Sequence, residues 1–221
     1  MRTVAVRPRA LAAAVLGAAL VGAGARGLVT PSDRPRPVAG TSSTASPAGP
    51  ATATAFARTR GGAVAAATSD VRQGQRLLGL PTDERVTALQ AMASDAAAPA
   101  YVAEQTQHLS NLDGVAARGR GPLTWDVSVL AWRLDAYTPE RARVSVWRVG
   151  VLSVAGLTAP LAEWTTVVYE LVWERREWRI WSESQSPGPT PLGHPSEPPS
   201  TPEQLRTALA GFTRYPGPDP L

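Results

Sequence analysis

The 221-residue chain contains no cysteine. Disulfides and thiolate metal sites are therefore excluded, and any redox compartment is open to it. Lysine is also missing: all 22 basic residues are arginine. Histidine is reduced to His108 and His194, and neither comes with carboxylates at ligand spacing, so the sequence carries no metal site. Ser128, Ser145 and Ser153 lack the strand-to-helix turn that activates a nucleophile. Gly61-Gly62 opens a helix with no preceding strand and no Gly-x-Gly-x-x-Gly pattern, so it forms no phosphate cradle. No catalytic residue, cofactor or metal ligand emerges from these patterns.

Acidic residues are absent before Asp33, and this sets the charge distribution. Eight arginines precede residue 61 against that one acid, whereas 14 arginines face 17 acids from residue 61 onward. A nucleic-acid binder concentrates basic charge on its folded body. Here the excess lies in front of the body, so nucleic acid is not an expected partner.

Residues 1–26 read as a targeting segment. Arg2, Arg7 and Arg9 precede an uncharged run from Ala10 to Ala25, and Arg26 closes it. A positive flank, an apolar centre and the small residues Ala23-Gly24-Ala25 describe a secretory signal. The same run serves as an uncleaved anchor if Arg26 snorkels and the span extends through residue 29. Sixteen helical residues cover about 24 Å, short of the ~30 Å hydrocarbon core. Both readings keep the arginine-rich end cytoplasmic and place the body outside the cell membrane, membrane-held or secreted. Residues 27–57 are rich in Pro, Ser, Thr and Ala and read as a disordered tether.

Three helices are expected next. Gly62 to Leu78 places Ala63, Ala67, Val71 and Leu78 on one face, with Ala66, Asp70 and Leu77 beside them. Thr82 is a candidate cap for a second helix carrying Val86, Leu89 and Ala93. Pro99 opens a third, with Tyr101, Val102, Gln105, Leu109 and Leu112 inward, ended by Asp113-Gly114. Strands follow. Trp125 to Leu134 has two apolar faces, Trp125, Val127, Val129 and Ala131 against Leu130, Trp132 and Leu134. Arg143 to Val154 sets Val144, Val146 and Arg148 against Trp147, Val149 and Val151.

Glu163 to Glu183 holds four of the seven tryptophans. Tyr169, Leu171 and Trp173 alternate with more polar neighbours, and Trp178 and Ile180 continue that face beyond a polar break. With Trp173 opposite Trp178, these five residues form the expected core of a hairpin. The other face carries Trp164, Val168, Val172, Arg179 and Trp181, more apolar material than a solvated face needs and the residue types that anchor interfaces. These five are the candidate interface, for a protein partner or self-association, unless the tail covers them. The tail, 184–221, is Pro-rich. It ends in a short helix capped by Thr201, with Pro202 first and Gln204 completing a capping box, and Leu205, Leu209 and Phe212 on one side.

Segregated helices and strands give an α+β domain over 58–183: three N-terminal helices packed on a curved four-stranded antiparallel sheet. That order, with Tyr169-Glu-Leu-Val-Trp173 and Glu177-Trp178-Arg179-Ile180 as its closing hairpin, resembles the cone-shaped, nuclear-transport-factor-like (cystatin-like) fold. The stretch Phe56 to Ala67 is similar to membrane-anchored actinobacterial proteins of unknown function encoded in conjugative elements. Anchor, tether and fold together resemble the inner-membrane scaffold subunits of type IV secretion and conjugation machines. The resemblance implies a non-enzymatic envelope scaffold or interaction domain. The alternative is a secreted small-ligand-binding protein or an isomerase- or dehydratase-like enzyme using the cone cavity. In that case Asp126, Asp135 or His108, with Tyr169, would be the groups to find inside it. The ordinary readings are a solvated strand-end carboxylate, a surface histidine and a packed tyrosine. Arg175-Arg176, between Glu174 and Glu177, read as a solvated turn.

The charge asymmetry predicts that residues 58–221 lie outside the membrane. A reporter active only on that side, fused after Leu221, should function; activity confined to a cytoplasmic reporter would overturn the assignment.

Overall fold

The computed structural model describes residues 56–119, 121, 123–192 and 198–216. The expected leader, nearly all of the expected tether and His194 lie outside them. Among the described residues, no helix is long and apolar enough to cross a membrane. They form four helices and a five-stranded antiparallel sheet: α1 (Arg60–Leu77), α2 (Thr82–Met92), α3 (Ala98–Ala116), β1 (Leu123–Tyr137), β2 (Arg141–Val154), β3 (Thr158–Glu174), β4 (Glu177–Pro187), α4 (Pro202–Ala208) and β5 (Thr213–Arg214). The sheet order is β4-β3-β2-β1-β5. The protein is thus α+β, with helices laid on an antiparallel sheet.

α1 starts at Thr59, whose hydroxyl accepts from the Gly62 N–H at 3.0 Å. Its buried face is mostly small, with Ala63, Ala66, Ala67 and Val71, so the helix lies close to β1 and β2. Gly62 is required by its neighbour: a Cβ there would stand 1.8 Å from the Ala57 carbonyl oxygen. That carbonyl accepts from Trp178 Nε1 at 3.0 Å, which ties the entry of α1 to the far end of the sheet.

α2 is capped by Pro81, so Thr82 is its first residue rather than its cap. α3 runs past Asp113-Gly114 to Ala116. The carboxylate of Asp113 is engaged by Arg85, which also donates to the Leu78 carbonyl at the end of α1 and to the Leu80 carbonyl just beyond it. A cation on those last carbonyls satisfies orphan acceptors and the helix dipole together. Around this arginine, Leu77, Leu89 and Leu109 form a small separate core.

The hairpin register sets Trp173 opposite Trp178 and Leu171 opposite Ile180, the pairing the alternation predicts. Tyr169, Leu171, Trp178 and Ile180 are buried in the main core, and Trp173 is half-buried at its rim. The Trp173 and Trp178 rings meet edge-on at 5.3 Å. The turn between them carries positive φ at both Arg175 (51°) and Arg176 (67°). A tight hairpin of right-handed strands demands this, usually from Asn-Gly. Asp95 reaches the turn from the α2–α3 link, accepting from Arg175 and donating its N–H to Glu174.

β1 departs from the expected two-faced strand. Its register against β2 shifts between Val129 and Ala131. An extra residue there reverses the alternation, so Trp125, Val127 and Val129 share the helix-facing side with Trp132 and Leu134. The tail also differs. β4 continues to Pro187, and β5, which the sequence does not signal, pairs with Ala131 and Trp132. α4 has the full capping box of Thr201 and Gln204.

Trp178 is 7% exposed and bonded through its ring nitrogen. Trp178→Ala should lower stability by about 3–5 kcal/mol, and Trp173→Ala by less. Urea midpoints of the two variants check the order; a change under about 0.5 kcal/mol for Trp178 would show a surface position.

Candidate functional site

The helix-facing side of the sheet is apolar at the tryptophan end and polar at the other. Register alone sets the polar group. Arg148 lies opposite Thr165, Tyr169 opposite Glu183, and Val167 opposite Gln185. Cross-strand partners share a face. Arg148 donates to Thr165 Oγ1 at 3.1 Å and to Gln185 Oε1 at 2.6 Å. α3 brings Tyr101, whose hydroxyl donates to Glu183 at 3.4 Å, a long and weak bond. Glu104 and His108 follow about one and two turns further along α3. α1 contributes Asp70, next to the buried Val71 and three and four residues past Ala67 and Ala66.

The electrostatics tie these groups together. Burial and then the nearby Glu183 push the Asp70 carboxyl well above its ordinary value. Burial also raises Glu183; Arg148 and the Tyr101 hydrogen bond oppose this, while Glu104 adds to it. The Tyr101 and Tyr169 phenols are held neutral, first by burial and next by the Glu183 charge. His108 is lowered by burial and by Arg148, against Glu104. Tyr169 is only 2% exposed; among the described residues the buried side-chain atoms left without a partner are Ser94 Oγ, Thr106 Oγ1 and Arg179 Nε.

Of the acids and bases the sequence offered for an interior site, the structure brings His108 and Tyr169 to this group. Asp126 is exposed and accepts from Gln75 at 3.0 Å. Asp135 bonds to Arg133 and Ser145. Asp70, Tyr101, Arg148 and Glu183 were not singled out as site residues. Their signal was a charge inside an apolar pattern: Arg148 in line with Val144 and Val146, and Asp70 beside Ala66 and Leu77. Among the described residues, no set of three or more His, Asp or Glu is placed to hold a metal ion.

The opposite face carries the candidate interface residues, and they divide into three situations. Trp164 lies beneath the returning tail: Gly188 N–H donates to its carbonyl at 2.7 Å, Thr166 donates to the Gly188 carbonyl, and Trp147 Nε1 donates to the Pro189 carbonyl. A hollow of about 510 Å³ there is bounded by Leu130, Trp147, Trp164, Pro191, Leu209 and Phe212. Arg179 turns back over the sheet edge, donating to the Ala91 carbonyl at the end of α2 and to Glu177. Val168 and Val172 are half-buried, and Trp181 is 39% exposed among the described residues. The Arg141 guanidinium sits 5.1 Å from the Trp181 ring centre.

These features define an α+β domain with a polar group on the helix side of its sheet and a partly tail-covered apolar face on the other. The chain belongs to the family described as a domain of unknown function, DUF8175, whose model matches residues 36–214. Among curated proteins none matches it. Among solved structures, the intermembrane space region of the chloroplast protein ARC6 is similar, with 17% identity and a TM-score of 0.37, over 57% of this chain and 97% of that one.

A carboxyl raised above its ordinary value binds a proton in the folded state that the unfolded chain has released. Stability then falls as pH rises from the unfolded value, 3.8 for Asp70, through the folded one. Glu183, Tyr101 and Tyr169 lie in this carboxyl's field, and Asp70 and Glu183 are the groups whose raised values bind protons on folding in that window. Asp70→Asn should therefore be more stable than the parent at neutral pH, with the difference closing as pH falls toward 3.8. Urea midpoints across pH check it; a less stable Asn variant at neutral pH would show that the charge is favourably paired.

Proposed function

We propose that this chain is a non-enzymatic extracytoplasmic envelope protein. Its body acts as a scaffold or interaction domain of a conjugation- or secretion-type machine, as in the inner-membrane scaffold subunits it resembles. The cone-shaped, nuclear-transport-factor-like form is part of this reading. It is supported by three helices preceding a four-stranded meander whose apolar side they cover.

The observation that carries the proposal is the state of the outer face. The described tail residues fold back over Trp147 and Trp164, while Trp181 is left 39% exposed and Val168 and Val172 half-buried among the described residues. An exposed tryptophan beside an arginine and two valines is the composition of an interface anchor rather than of a solvated sheet. Partner proteins or further copies of the chain would dock there.

A second reading is favoured by a separate observation. His108 and Tyr169 both lie in the field of Arg148 on the helix side of the sheet, the pair of groups a ligand-binding or isomerase-like site would use. Carboxyls on that side are raised toward the range useful to a general base. On this reading the helix side of the sheet binds a small molecule.

Trp181→Glu tests the first reading. The variant should fold with a stability change within about 1 kcal/mol, the scale of an exposed cation–π contact. A photo-crosslinker at Val172 should capture a discrete envelope partner or a second copy in the parent and lose it in the variant. Identical crosslinking in both would mean that this strip is not the interface.

A further inference from the structure

We propose that the hollow under the returning tail is a binding site for a small amphiphilic carboxylate, its apolar body between the tryptophans and the tail and its carboxylate on Arg214. The site lies on the outer face of the sheet and is independent of both functions proposed above.

The walls come from the sheet and the tail together. β1 contributes Leu130, β2 Trp147 and β3 Trp164, and the tail contributes Pro191, Leu209 and Phe212, around a space of about 510 Å³. Small-molecule sites have volumes of this order and are mostly apolar and aromatic, with a few placed polar groups. All six residues are half-buried, so their apolar surfaces are open to an entering molecule.

The frame is fastened on both sides. β5 pairs with Ala131 and Trp132, and the Tyr215 N–H donates to the Leu130 carbonyl at 2.9 Å. On the other side the Gly188 N–H donates to the Trp164 carbonyl at 2.7 Å, and Trp147 Nε1 donates to the Pro189 carbonyl at 3.1 Å. Ser200 ties the two arms of the tail: its N–H donates to the Thr190 carbonyl at 2.7 Å, and its hydroxyl accepts from the Thr190 N–H at 3.0 Å. The Arg133 guanidinium sits 4.8 Å from the Phe212 ring centre and donates to the Ala210 carbonyl at 3.1 Å. The tail is thus held around the hollow rather than packed into it, and an occupant would meet walls already in place.

Charge selects the head of the ligand. Arg214 lines the hollow and is exposed. Arg133 on β1 and Arg206 on α4 are matched by Asp135 and Glu203, whereas Arg214 forms no ion pair among the described residues. One guanidinium suits one carboxylate, which it can hold through two parallel hydrogen bonds. A phosphate dianion would leave charge unmatched, and a cation would meet no acid among the described lining residues. A second chain segment would want the Trp147 indole N–H, which Pro189 already holds.

The experiment titrates the full chain in lipid nanodiscs with fluorophenylbutanoate, followed by fluorine NMR, with empty nanodiscs as the blank. Fluorophenylbutanol and fluorophenylbutylammonium keep the apolar body and change the head. The acid should bind saturably with a Kd below about 1 mM. It should bind about threefold or more tighter than the alcohol or the amine, the scale of an exposed ion pair. Arg214→Gln should abolish that preference. The Arg214 side chain makes no hydrogen bond or ion pair among the described residues, so this variant keeps the fold even where Phe212→Ala loosens the tail. Phe212→Ala should weaken acid and alcohol alike, and Trp181→Glu, outside the hollow, should change neither. Equal binding of acid and alcohol by the parent, a preference that survives Arg214→Gln, or binding unchanged by Phe212→Ala each overturns the proposal. Absence of saturable binding overturns it as well.

Discussion

The indole of Trp178 is the contact on which the remaining geometry depends. Its ring meets Trp173 edge-on across the hairpin and Tyr137 at 6.0 Å from the end of β1. Its nitrogen donates to the Ala57 carbonyl just ahead of α1. Three segments far apart in sequence are thereby joined at one point. Because Gly62 has no side chain, the Ala57 carbonyl can lie against the first turn of α1, and the helix starts where the tryptophan places it. From that start, ten residues of helix carry Asp70 along the sheet, about 15 Å from the tryptophans. It arrives where Glu183 emerges from β4. The apolar end of the inner face thus positions the polar end.

That division of one face into two chemistries has an energetic consequence. At the tryptophan end, burial, ring contacts and a satisfied indole nitrogen all stabilise the fold. At the other end, two half-buried carboxyls lie in each other's field, with Arg148 offsetting only part of the cost at Glu183, which opposes folding at neutral pH. A chain selected for stability alone would place an amide or an apolar residue at position 70. Positions where local rules are broken against a consistent background are those at which function is expected, and here the background is the valine- and alanine-lined core on either side.

Most of the architecture was legible because its elements announce themselves by period. The β3–β4 hairpin reads directly from alternation, since Leu171 and Trp173 each have an apolar cross-strand partner, Ile180 and Trp178. The capping box at Thr201 reads from local chemistry alone. β1 was misread for a definite reason. Alternation assigns faces by parity, and the extra residue between Val129 and Ala131 changes parity without leaving a Gly or Pro to mark it. The two-residue β5 is too short to have a period. The site was half legible. Arg148 and Asp70 were visible as charges on apolar faces, but nothing in sequence spacing states that residues 70, 101, 148 and 183 meet. That information lies in the strand register and in where α1 and α3 rest.

One irregularity in β4 connects the two surfaces to which function is assigned. Ile180 and Glu183 are three residues apart, so in a regular strand they would point to opposite sides. They share the inner face because the register with β3 shifts between Glu170 and Leu171: Glu170 pairs with Ser182, Leu171 pairs with Ile180, and Trp181 has no opposite number. A bulge of this kind re-aims side chains next to it. On the inner side it returns Glu183 to the face that holds Tyr169 and Arg148, where a strand of strict alternation would have left a serine. On the outer side it leaves Trp181 proud of the sheet, exposed beside Arg141. The inward-facing acid and the exposed tryptophan are therefore consequences of the same extra residue, and a strand without it would have neither.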